Sequence, residues 1–205
     1  IIFLEPFDFR NQRAFGYDMY TESMRRSGLQ AARDTGLPVI SGRVILLQET
    51  DEGVQPGFLM YLPVYDISVG NIDNVLDRRE HLRGFVYAAF RMYDFMEKLF
   101  AGQEITVDFK IYDGNGINEE LEMYDSLRAS GNAEEELCSP EFTTVRTIYL
   151  AGRPWTIEYK SSVNFAAGEA ERILPLVVLL AGMFMSTLLT AIVYTVRSSE
   201  RRAVG

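Results

Sequence analysis

Few side chains in this sequence have the company that chemistry needs. A serine or cysteine nucleophile requires a base to take its proton, and the only histidine, His81, stands in the charged stretch RREHLRG, which reads as solvated surface. Zinc requires Cys and His clustered at set spacings, and the chain offers one of each, Cys138 and His81. No glycine-rich phosphate loop opens a helix after a strand. Asp113, Gly114, Asn115 and Gly116 resemble a calcium loop loosely, without its alternating oxygen ligands or closing glutamate. Their Asn and Gly suit a tight turn instead, because both tolerate positive φ. The acidic groups Glu119, Glu120 and Glu122, and Glu134, Glu135 and Glu136, read as solvated faces. No catalytic residue, metal ligand or cofactor is expected. One cluster stands apart: GYDMYTESMRR, residues 16–26, gathers Tyr17, Asp18, Met19, Tyr20 and Arg25 at the mouth of a helix. It is either a packing joint or the lip of a binding site.

The elements that would hold this cluster can be read from patterning. Thr21 to Asp34 has few β-branched residues and stops before Gly36 and Pro38, as a helix does, with Thr21 or Ser23 as its cap and Asp18 bonding amides at its entry. A β-rich run from Val39 to Glu49, the turn TDEGVQPG and a second run from Phe58 to Tyr65 predict a hairpin. Pro63 inside the second run points to an edge or a bulge. A polar loop from Asp66 to His81 precedes a strand around Gly84 to Phe90. Met92, Phe95, Met96, Leu99 and Phe100 then recur at helical spacing and predict an amphipathic helix whose stripe is core. Beyond it, Ile105, Val107, Phe109 and Ile111 alternate as a strand does, and TTVRTIYL and WTIEYKSS flank the turn AGRP. The fold class expected is α+β, with two small modules in tandem, residues 1–100 and 101–165.

The last part of the chain differs in kind. No charged residue occurs from Ile173 to Val196, and about 20 apolar residues suffice for a helix to cross a bilayer. A transmembrane helix over 173–196 is expected, with Tyr194 as an interfacial aromatic and Pro175 in its first turn. Glu169, Glu171 and Arg172 precede it, and Arg197, Arg201 and Arg202 follow. The positive-inside bias then puts the C-terminus, from 197 to 205, in the cytoplasm and residues 1–172 outside, across an inner (plasma) membrane. A net charge of −9, from 29 acidic against 20 basic residues, argues against a nucleic-acid partner. With a single cysteine no intrachain disulfide can form, so packing must supply stability. The chain, which starts without methionine, is expected to be a fragment of a longer protein.

GYDMYTESMRRSGLQAARDTGLPVISGRVILLQE, PGFLMYLPVY, LRGFVYAAFRMYDFM, IYDG and LAGRPWTIEY, followed by the apolar span, together resemble the CHASE domain, the extracytoplasmic sensing module of bacterial and plant transmembrane signalling proteins. The resemblance implies two PAS-like modules, the membrane-distal one holding a small-molecule ligand and lacking its first part here. It also implies a homodimer, a periplasmic sensor and a cytoplasmic cyclase, phosphodiesterase or kinase output outside this sequence. Carried over from the cytokinin-receptor members, the pocket positions are Met19, Arg25, Ser41, Leu47, Tyr61, Phe85 and Ala88. Those receptors keep an aspartate where this chain has Arg25. A carboxylate accepts hydrogen bonds and a guanidinium only donates them, so a pocket built on Arg25 implies a carboxylate, phosphate or other acceptor-rich ligand. Two alternatives remain open at this level. Arg25 is a surface residue or pairs with Glu22, and the region is a membrane-anchored module that recognises a protein. A pocket of about 300 Å³ favours a ligand, and a filled interior with an exposed apolar patch favours a protein partner.

Overall fold

The computed structural model describes residues 1–49, 53–66, 68, 70–103, 107–131, 142–161 and 169–203, with side chains in the last stretch described over 173–195. Ile105, Cys138, Glu134, Glu135, Glu136 and Thr50 to Glu52 of the first expected turn lie outside the described residues. The chain divides into two compact units, Ile1–Ser162 and Val163–Gly205.

In the first unit, short 3-10 helices at Asn11–Ala14 and Met19–Thr21 lead into helix α1, Ser23–Thr35. Asp18 accepts a hydrogen bond from the Tyr20 N–H, as expected at the helix entry. The α1 cap is Glu22 rather than Thr21 or Ser23: its carboxylate accepts from the amides of Met24 at 2.8 Å and Arg25 at 2.9 Å. Thr21 is held in the preceding 3-10 turn, where its hydroxyl donates to the Asp18 carbonyl. Gly36, at φ 73°, ends the helix.

Strands β1 (Val39–Ile40), β2 (Val44–Ile45), β3 (Pro56–Tyr65) and, after helix α2 (Val75–Glu80), β4 (Leu82–Arg91) form an antiparallel sheet. β4 pairs with β3 from end to end, so β1 and β2 share the other edge of β3. Between them Ser41 continues the ladder, its N–H donating to the Leu59 carbonyl and its hydroxyl accepting from the Leu59 N–H. Pro63 lies past the last β1 pair and next to a register shift at Val64/Tyr65, where a missing N–H leaves no ladder bond unmade. α2 forms inside the stretch expected as loop because Asn74 caps it, accepting from the Leu76 and Asp77 amides.

Helix α3, Met92–Leu99, buries Met92 and Met96. Phe95 and Phe100 pack at the edge of the same core, while Leu99 is exposed. The second sheet, in the order β6-β5-β8-β7, consists of β5 (Val107–Asp113), β6 (Glu122–Asp125), β7 (Thr143–Leu150) and β8 (Arg153–Ser161), with helix α4 (Ser126–Ser130) after β6. The chain passes from one sheet to the other between α3 and β5, close to the division expected near residue 100, but both sheets lie in the single compact unit Ile1–Ser162. One apolar cluster spans that division, joining Ile40, Phe58, Met92 and Met96 to Phe109, Ile111, Met123 and Trp155. A second cluster, with Leu29, Ala32, Leu59 and Tyr61, lies between α1 and the first sheet, with Leu46 just past β2 in it and Met19 and Tyr20 packed against it.

The β7–β8 hairpin turns on Ala151 and Gly152, both at positive φ (44° and 80°), the pattern of a type I′ turn. A Cβ in the left-handed region costs about 1–2 kcal/mol, and glycine gives part of that back in backbone entropy. Ala151→Gly is therefore expected to stabilise the protein by about 0.5 kcal/mol, read as a higher denaturant midpoint at unchanged slope.

The second unit contains helix α5, Glu169–Ala203. Its stretch Ile173–Thr195, 23 residues with a mean hydropathy of 2.4, is long and apolar enough to cross a membrane. The hydroxyls of Thr187 and Thr190 donate to carbonyls of their own helix, which satisfies them without water. α5 starts four residues before Ile173, so Pro175 lies in its second turn rather than the first. There its missing N–H leaves the carbonyl four residues back without a helical donor.

Candidate functional site

The GYDMYTESMRR segment folds over the face of the first sheet that α1 covers. Gly28 brings α1 down onto that sheet: a Cβ there would stand 3.0 Å from the Tyr61 ring and 3.3 Å from the Ser41 Cα. One turn earlier, the same helix face carries Arg25 into the interior, where it is only 5 % exposed. Its guanidinium donates to the Tyr17 hydroxyl at 3.1 Å and to the Ile45 carbonyl at 2.8 Å, and lies 5.3 Å from the centre of the Tyr17 ring. Among the described residues no carboxylate pairs with it. Glu22, the expected partner, is occupied in capping α1.

Arg25 borders a cavity of about 10 Å³ with Met19, Leu46, Leu47, Gln48, Leu59 and Tyr87. That is room for about one water molecule. The Tyr87 and Tyr61 hydroxyls are buried without hydrogen-bond partners. Burial raises the pKa of each phenol, and the Arg25 charge acts on Tyr61 in the opposite sense.

Of the seven expected positions, Met19, Arg25 and Leu47 line this cavity together. Tyr61 and Phe85 belong to the apolar layer under it, their rings 6.4 Å apart and edge-on. Ser41 is buried, its hydroxyl spent on the Leu59 amide and the Gly42 carbonyl. Ala88 is exposed. It follows Phe85 by three residues on a strand, so the two side chains leave opposite faces of the sheet. The same periodicity picks out Tyr87, two residues after Phe85, and Leu59, two before Tyr61, which sequence reasoning left out. Sequence patterning marks Tyr17 only as part of the GYDMYTESMRR cluster.

A different set of charges sits where the first sheet meets the second. Asp113, with its side chain fully buried, accepts from the Arg43 amide at 2.8 Å and from Arg153 Nη2 at 2.6 Å. Arg43 also donates through Nε to the Glu122 carbonyl. Gly42 fits between these groups because it lacks a Cβ, which would meet Arg153 Nη2 and Met24 Sδ at 2.3 Å. Glu122, expected on a solvated face, instead pairs with Arg128 at 2.9 Å and Lys110 at 3.7 Å.

Compared with protein families, residues 1–124 match the model of the CHASE domain. The chain belongs to the CHASE family. CHASE is a sensory and not a catalytic domain, found outside the cytoplasm in signalling receptors, and the matched residues include α1, the whole first sheet and β5. The Arg25 cavity therefore lies wholly within the CHASE match. The segments LAGRPWTIEY and Ile173–Thr195 lie beyond it. No curated protein matches the chain.

Proposed function

We propose that this CHASE region senses a small anionic molecule at the Arg25 cavity and passes the signal through α5, which crosses the inner membrane with its C-terminus in the cytoplasm. On this reading the two sheets are PAS-like modules in tandem, divided near residue 100, the first holding the ligand. The working form is a homodimer, and the output is a cyclase, phosphodiesterase or kinase. The observation that carries the reading is the buried Arg25 guanidinium, which has no carboxylate partner among the described residues. Removing a cation from water is costly unless an anion accompanies it, and two neutral acceptors compensate only in part.

The cavity has room for about one water, so any ligand must widen it. A sensor needs such a difference between its states, because a ligand shifts an equilibrium only by its unequal affinity for the two. Met19 on a 3-10 turn, with Leu47 and Gln48 on irregular backbone, makes the yielding wall.

A thermal-shift screen of the full chain in detergent against anionic and neutral metabolites tests the proposal. At least one anion is expected to raise Tm by several degrees, and Arg25→Ala to abolish that shift. No shift, or an equal shift in both proteins, rejects it. The filled interior also favours the second reading, a protein-recognition module. Leu62, Val64 and Val86 form an exposed apolar row on the first sheet, with Leu62 directly opposite Val86.

A further inference from the structure

The polar groups around the cavity are mostly donors. Arg25 has five N–H bonds and spends two of them on Tyr17 and Ile45. Tyr87, on the same wall, and Tyr61 beneath it each bury a hydroxyl that bonds to nothing. A buried hydroxyl left unpaired forfeits the bonds it would make in water. Two such hydroxyls, one on the lining and one beneath it, beside a guanidinium with N–H bonds to spare, call for a ligand head rich in acceptors. Gln48 and the Tyr87 hydroxyl are the lining side chains that could also accept from a ligand N–H, whereas Arg25 can only donate.

Charge narrows the class further. Arg25 is the one cationic side chain on the lining, and one guanidinium balances one negative charge. A carboxylate meets that count, and its two oxygens accept the paired N–H bonds of an arginine. A phosphate carrying nearly two charges at neutral pH would leave one of them buried and uncompensated. Ile1, Ala14, Met19, Leu46, Leu47 and Leu59 complete the wall with apolar side chains that offer nothing to a second charged end, and the Ile1 ammonium donates to the Tyr17 carbonyl at 2.7 Å. We propose, building on the reading of this cavity as the sensing site, that its ligand is a monocarboxylate with an apolar body, held by Arg25 and the hydroxyls of Tyr87 and Tyr61. The carboxylate supplies the missing counter-charge, and the apolar body displaces Met19 and Leu47. Methionine suits that displacement, with three rotatable bonds and no branching.

Calorimetric titration of the full chain in detergent, at constant ionic strength, tests this with acetate, butyrate, hexanoate and benzoate as probes. Inorganic phosphate and butylamine serve as controls. At least one of the three larger carboxylates is expected to bind saturably and more tightly than acetate, while phosphate and butylamine do not bind. Arg25→Met, of similar length and without charge, should fold at least as stably as the parent and weaken that binding by about 100-fold or more. Tyr87→Phe, which keeps the ring and removes one donor, should weaken it by about tenfold. Phosphate binding as tightly as the best carboxylate, carboxylate binding unchanged in both variants, or no saturable carboxylate binding would each overturn the proposal. Should the carboxylates fail while another anion stabilises the parent and not Arg25→Ala, the sensing reading stands and the ligand class falls. If nothing binds, both fall.

Discussion

Asp113→Ala is expected to cost the Ile1–Ser162 unit about 3 kcal/mol, a large share of a typical domain's stability. The carboxylate is fully buried, and its removal strands two donors at once: the Arg153 guanidinium, itself only 25 % exposed, and the Arg43 amide. Breaking a buried pair from one side leaves an uncompensated charge, which accounts for most of the loss. Water reaching the exposed quarter of Arg153 keeps the figure at the lower end of that range. Asp113→Asn retains an acceptor and loses the charge, so about 1–2 kcal/mol is expected. Urea denaturation of the three proteins gives the ordering directly. An alanine variant within 0.5 kcal/mol of the parent would show that this ion pair does not hold the junction.

Trp155→Ala is expected to cost about 3–5 kcal/mol, the usual loss for emptying a buried aromatic site. Trp155 is 3 % exposed and meets Phe58 of the other sheet edge-on, with ring centres 5.2 Å apart. It therefore fills the cluster that both sheets share. The second sheet, most of whose buried apolar residues lie in that cluster, should lose its structure first. Far-UV dichroism against temperature is the measurement, since Trp155 is the only tryptophan and its emission disappears with it. Trp155→Phe is a useful control: its indole N–H is buried without a partner, so phenylalanine removes an unmet donor while leaving a small void, and the two effects offset. Equal losses in both variants would contradict the packing account.

Much of this arrangement was legible in the sequence. The Met92 and Met96 stripe, the β7–β8 turn and the apolar span declare themselves through spacing alone. The Val39 to Glu49 run reads as one strand, and it is two short ones because Gly42 admits side chains from α1 and β8 where a strand would continue. No local pattern announces neighbours 18 residues before and 111 after. Four-residue β6 is too short to show a period. Asp113 reads as a turn residue because its partners are 70 and 40 residues away. At the cavity, family resemblance led to Met19, Arg25 and Leu47, whereas strand periodicity, which brings in Tyr87 and separates Ala88 from Phe85, is the physical rule that the carry-over did not apply.

β2 is held at both ends by groups from elsewhere. Ile45 offers its carbonyl to Arg25, and Arg43, two residues earlier, gives its amide to Asp113. Two residues of extended chain span about 7 Å, so the strand works as a connecting rod between the guanidinium and the second sheet. It is too short to bend. Whatever draws Arg25 away from Ile45 unloads one bearing of that rod while Asp113 still grips the other.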